Sequence, residues 1–140
     1  MLIKIKKLKP DCIVPSYARA GDAGLDLCSL EDYELKPGER KVFFTGFALE
    51  FPFGYVALVK DKGSLPFYGG IHTMGGVFDA GYRGEYSAQL INLGDKPYEI
   101  KKGQKIAQLV IVPVATAELE ITDELSPSER GEGRLGSSGK

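Results

Sequence analysis

At 140 residues the chain is long enough for one domain with a real core, and 18 Lys and Arg against 19 Asp and Glu leave it almost neutral. That balance lacks the basic excess typical of nucleic-acid binders. No apolar run nears the roughly 20 residues that span a bilayer, and two cysteines, Cys12 and Cys28, are too few for a disulfide framework or a thiolate metal site.

The opening MLIKIKKLKP alternates charged and apolar residues and lacks the apolar centre of a signal peptide, so a cytoplasmic protein with reduced, packed thiols is expected. After the turn KPGE (36–39), RKVFFTGFALEF (40–51) reads as strand from its β-branched and aromatic content. FPFG (51–54) is a turn, and YVALVK (55–60) a strand. GSLPFYGG offers a short helix, as does DELSPSER further on; no window holds a three-turn helix. GGVFDAGYRGEY (75–86) reads as two strands folding over a tight bend that carries Asp79 and Tyr82. Taken alone this is a surface turn, with Asp and Gly supplying backbone angles and Tyr filling a strand. LGDKP and KKGQ are further turns. KIAQLVIVPV (105–114) sets Ile106, Gln108, Val110, Val112 and Val114 on one face, and AELEIT (117–122) alternates strictly. LSPSERGEGRLGSSGK has the composition of a disordered terminus, yet two arginines among glycines and serines also suit an arm that closes on a phosphate.

Many short strands, regular turns and 18 glycines predict an all-β fold, a jelly-roll-like barrel or sandwich over residues 1–124, followed by a flexible Gly/Ser-rich arm over 125–140. The single histidine, His72, has no nucleophile elbow to serve, which argues against a Ser-His-Asp triad.

Five stretches, AGDAGLDL (20–27), DKGSLPFYGG (61–70), GGVFDAGYRGEY (75–86), GQKIAQLVIVP (103–113) and RGEGRLGSSG (130–139), stand in an order and spacing that resembles the five motifs of the trimeric dUTPase family. The resemblance implies a jelly-roll-like homotrimer with shared active sites that hydrolyses dUTP to dUMP and pyrophosphate with Mg²⁺. It implies that Asp79 orients the attacking water and binds the 3′-hydroxyl, and that Tyr82 stacks on the deoxyribose and excludes a 2′-hydroxyl. Asp26 matches the carboxylate that holds Mg²⁺ through water. Lys62, Gly63 and Ser64 match the phosphate-binding second motif, Gln108 a glutamine of the phosphate and water network, and Arg130 the arm's γ-phosphate clamp. Leu135, Gly136 and Ser137 fall in the arm that covers the nucleotide, and Gly75 and Gly76 lie where backbone groups read uracil.

That chemistry suits these residue types. Water attack on the α-phosphorus develops negative charge on phosphate oxygens. Mg²⁺ takes oxygen ligands, largely from the phosphates, and needs only one or two protein carboxylates. An aspartate, with an ordinary pKa of about 3.9, serves by holding a water in line rather than by basicity.

The chain departs from the family pattern at several points. Lys62-Gly63-Ser64-Leu65 stands for Arg-Ser-Gly/Ser-Leu, which removes a planar guanidinium and puts Gly63 in the place of a serine, leaving Ser64 as the substitute donor. Leu135 replaces an aromatic cover and Arg134 a glycine. Two rivals follow: a dCTP deaminase-related enzyme, disfavoured because its acid-base glutamate falls on Gln89, and a nucleotide-binding trimer without turnover.

Overall fold

The computed structural model describes residues 1–134. Strand β1 (Lys4–Lys7) lies against β5 (Phe47–Glu50), and β3 (Tyr33–Leu35) against β10 (Tyr98–Ile100). A four-stranded sheet runs in the order β2 (Gly24–Cys28), β11 (Lys105–Pro113), β6 (Tyr55–Asp61) and β8 (Val77–Asp79). A three-stranded sheet runs β4 (Arg40–Phe44), β9 (Ser87–Asn92), β7 (Ile71–Thr73). Every one of these pairings is antiparallel, and the helix α1 (Ser64–Gly69) is one short element between β6 and β7. The expected all-β architecture is what the chain adopts.

Alternation builds the core. In β9, Ala88, Leu90 and Asn92 are buried while the residues between them are less covered. Leu27, Phe43, Phe47, Ile100, Ile106 and Leu109 join them in one continuous cluster. One polar group sits inside it with its needs met. Asn92 donates from Nδ2 to the carbonyls of Leu35 and Lys96, both at 2.8 Å, and its Oδ1 accepts from Gly94 N–H at 2.8 Å.

Four segments differ from the sequence reading. GGVFDAGYRGEY is not a two-stranded hairpin: only Val77–Asp79 is strand and it pairs with β6, while residues 80–86 lead without strand into β9 of the three-stranded sheet. RKVFFTGFALEF is two strands, because Gly46 takes φ 76° and turns the chain from β9 toward β1. DELSPSER forms no helix, and AELEIT forms no strand. The last strand ends at Pro113, and from there to residue 134 every residue is exposed, Leu119 at 91% and Ile121 at 101%. Alternation makes a segment ready to pair, but a strand needs an edge to accept its backbone, and residues 117–122 meet none within this chain.

Candidate functional site

Asp26 is the centre of the first cluster. Its register partner is Gln108 on β11, which in turn pairs with Lys60 on β6. The carboxylate is almost fully buried, and such a charge has to be compensated. Lys62 Nζ lies 2.6 Å from Oδ1 and Lys105 Nζ 2.7 Å from Oδ2. Burial alone would push the Asp26 carboxyl up; the Lys105 and Lys62 ammoniums outweigh it and hold it below the usual value. The same contact raises Lys105 above its ordinary value.

Neighbouring groups fix the cluster. Gln108 Nε2 donates to the Asp61 carbonyl at 2.9 Å, and a Cβ at Gly24 would come within 2.7 Å of Gln108 Oε1. Asp61, the residue before Lys62, accepts from Thr73 N–H at 2.6 Å and Thr73 Oγ1 at 2.8 Å, and contacts His72 Nδ1 at 2.8 Å. Burial pushes the Asp61 carboxyl up, and the Thr73 and His72 contacts bring it below its usual value. His72 is thus an anchor for the chain entering α1. Gly63 precedes that helix and Ser64 begins it.

The second cluster is β8 with the glycines before it and the bend after it. Gly76 has φ 95°, and a Cβ there would lie 2.9 Å from the Val59 carbonyl, so only glycine lets the chain come this close to β6. Its carbonyl accepts from Val59 N–H at 2.8 Å. Gly75 precedes it at φ 63°. After β8, Tyr82 N–H donates to the Asp79 carbonyl at 3.0 Å, and Arg83 Nη1 closes over the bend onto the carbonyls of Ala80 and Tyr82 at 2.7 and 2.9 Å. Asp79 and Tyr82 are therefore exposed groups on a tied turn.

The two clusters do not meet within the chain. Asp79 pairs with Val56 and Gln108 with Lys60, which puts their levels on β6 about 13 Å apart at the usual strand rise. Arg130 sits in an exposed turn where its Nε donates to the Gly133 carbonyl at 2.8 Å. Leu135, Gly136 and Ser137 lie outside the described residues.

A family model described as dUTPase matches residues 11–139. This chain belongs to the dUTPase family. It is 46% identical to the deoxyuridine 5′-triphosphate nucleotidohydrolase of Nautilia profundicola, over 100% of both chains. It is 42% identical to the protein of the same name from Clostridium tetani, over 99% of this chain and 97% of that one. Among solved structures, a Staphylococcus bacteriophage 80alpha dUTPase with dUPNHPP is similar at a TM-score of 0.94 and 32% identity, covering 99% of each chain. A dUTPase variant from phage phi11 of S. aureus, described with a structural Mg(II) ion, is similar at 0.84 and 27% identity, over 91% of this chain and 100% of that one.

Within this dUTPase-family fold, Gln89 is an exposed amide on β9 opposite Val42, in a different sheet from Asp26 and Gln108. A dUTPase cation has a fitting partner in Asp26. Oδ2 is buried and has no oriented hydrogen bond despite the Lys105 ammonium beside it, so it keeps acceptor capacity for a metal-bound water. Lys62 and Lys105 cover it, and both are partly exposed.

Sequence reasoning missed Asp61 and Lys105. Asp61 was visible as the acid next to Lys62. Lys105 had no signal of its own, because its nearness to Asp26 depends on the register of β11 on β2, which shifts between Lys105 and Ala107.

Proposed function

We propose that the protein is a dUTP diphosphatase, hydrolysing dUTP to dUMP and pyrophosphate by attack of water on the α-phosphorus. The observation that carries this is the tied bend after β8, whose hydrogen bonds hold the backbone around Asp79 and Tyr82 and leave both side chains exposed. In this reading Asp79 accepts a hydrogen bond from the 3′-hydroxyl and holds the attacking water in line, where orientation supplies much of the rate. Tyr82 lies on the deoxyribose. The backbone at Gly75 and Gly76 reads the uracil edge. Lys62, freed from Asp26, goes to the phosphates together with Ser64 and the backbone at Gly63, and Gln108 orders water among them. Arg130 clamps the γ-phosphate, with Leu135, Gly136 and Ser137 covering the nucleotide. Asp26 would hold Mg²⁺ through water. That ion, bound mainly by the triphosphate, supplies charge neutralisation on its oxygens.

The site is shared among three chains of a homotrimer. One contributes Asp26, Lys62, Ser64 and Gln108, a second the Asp79 bend, and a third the Arg130 arm. Two observations support the sharing: the separation of about 13 Å along β6, and the uncovered alternating segment at 117–122, whose apolar residues want a neighbour. A division into a barrel over 1–124 and an arm over 125–140 belongs to the same reading, as does a cytoplasmic setting for a protein with two free cysteines.

The test is pyrophosphate release with Mg²⁺ from dUTP, dCTP, dTTP and UTP in parallel, scoring the monophosphate formed. Release from dUTP alone, with dUMP as product, is expected. Ammonia from dCTP would move the protein to the deaminase branch, and no release from any of the four would leave a nucleotide-binding trimer.

A further inference from the structure

The Tyr82 ring does not stand alone at the bend after β8. It lies 5.6 Å from the Phe78 ring and 5.9 Å from the Tyr86 ring, tilted to both. Phe78 and Tyr86 are themselves stacked at 4.3 Å and 18°, and Tyr86 stacks again on Phe47 at 5.7 Å and 22°. Near-parallel rings therefore run from the barrel core, where Phe47 is 1% exposed and Tyr86 fully buried, out to Phe78, and the Tyr82 ring leans on the last two at a tilt.

Backbone bonds hold this bed in place. Tyr86 N–H donates to the Phe47 carbonyl at 2.9 Å, and the Tyr86 carbonyl accepts from Thr45 N–H at 3.0 Å and Thr45 Oγ1 at 2.8 Å. The far side of Tyr82 is held as well. Its hydroxyl donates to the Glu85 carbonyl at 3.1 Å, and a Cβ at Gly84 would come within 2.3 Å of that hydroxyl, so the ring edge rests on bare backbone. The Tyr86 hydroxyl, by contrast, is buried and has no hydrogen-bond partner among the described residues. Whatever Tyr86 does for Tyr82, it does with its ring face.

We propose that Phe78 and Tyr86 are positioning residues for sugar specificity: their stacked rings hold Tyr82 in the plane that accepts a 2′-deoxyribose and leaves no room for a 2′-hydroxyl. This rests on the reading that Tyr82 faces the sugar. The physical reason is discrimination by rigidity. A ring free to tilt yields to one extra hydroxyl, whereas a ring backed by a packed aromatic stack does not. Aromatic stacking of this geometry is worth about threefold to tenfold in such a preference.

The experiment measures kcat and KM for dUTP and UTP in the wild type and in Tyr86→Leu, Phe78→Leu, Tyr86→Phe and Tyr82→Ala. A general loss of folded enzyme lowers both substrates together and cancels in the ratio of their kcat/KM values. Tyr86→Leu and Phe78→Leu are expected to lower the dUTP-over-UTP ratio about threefold to tenfold, and Tyr86→Phe to keep it within about twofold. If Tyr82→Ala lowers the ratio while both leucine variants leave it at the wild-type value, the aromatic bed has no positioning role and the proposal falls. A Tyr86→Phe ratio as low as that of Tyr86→Leu also overturns it, since the hydroxyl would then be the active group. An unchanged ratio in Tyr82→Ala removes the sugar-facing role of Tyr82 itself, and the proposal with it. Should Tyr86→Leu fail to fold, the Phe78→Leu ratio decides alone.

Discussion

Asp79 and Gln108 project from one four-stranded sheet at levels about 13 Å apart, Asp79 beside Val56 and Gln108 beside Lys60. No side-chain motion closes such a gap. In the proposed homotrimer they act on one nucleotide from different chains. Asp26→Asn and Asp79→Asn enzymes are each expected to lose about a hundredfold or more of turnover. Unfolded together and reassembled in equal amounts, they should regain about a quarter of the wild-type sites, because random mixing unites an intact Asp26 with an intact Asp79 that often. Activity staying at the level of the separate variants would mean that each site is built from a single chain.

Truncation after Glu129 tests the arm. It removes Arg130 and everything beyond, from a segment that is exposed as far as it is described, to residue 134, and in which Arg130 donates to the Gly133 and Arg134 carbonyls. Turnover should fall by about a thousandfold, the usual scale for losing an arginine that stabilises phosphoryl charge, while sedimentation keeps the oligomer unchanged. Full turnover after truncation would reduce the tail to a terminus.

Acid stability should report the Asp26 and Asp61 contacts. Both carboxyls lie below their usual value of 3.8 in the folded chain. On lowering the pH the unfolded chain therefore takes up protons first, so this stabilisation is complete above about pH 4 and is lost as the pH falls through the folded values. Urea midpoints measured from neutral pH downward should drop in that window. Asp26→Asn should show a shallower drop, and an identical acid limb in that variant would contradict the ion-pair account.

Several groups hold their protons more tightly in the folded chain, Cys12, Cys28, Tyr33 and Lys105 among them, and Tyr86 offers the part of the alkaline response that one substitution isolates. Burial pushes the Tyr86 hydroxyl from 10 up to about 12. The unfolded chain loses this proton near pH 10 and the folded chain holds it, so stability falls between 10 and about 12, by roughly 2–3 kcal/mol in all. Ultraviolet titration should find one tyrosine that ionises only near 12 or on unfolding. Tyr86→Phe should abolish that part of the loss and, with no partner left behind, be neutral or stabilising by about 1 kcal/mol at neutral pH.

Asn92 tests the core. Replacing it with Leu strands the Leu35 and Lys96 carbonyls and the Gly94 N–H in or near the interior. A loss of about 3 kcal/mol is expected from denaturant unfolding, since each buried partner left unsatisfied costs on the order of 1–3 kcal/mol. A change below about 1 kcal/mol would mean that water reaches these groups.

Local pattern by itself determined the all-β class, the strands at 55–60 and 105–114, the short helix after Lys62 and the turn at Asp79. It did so because strand alternation, turn residues and an ordered set of motifs are properties of neighbours along the chain. The break at Gly46 needed a backbone angle, and the fate of AELEIT needed to know which edges are open. Pairing of Asp26 with Lys105, the aromatic bed under Tyr82 and the gap between Asp79 and Gln108 were decided by tertiary structure alone. Each depends on strand register and on contacts between residues far apart in sequence, where a slip of one position turns every side chain to the other face.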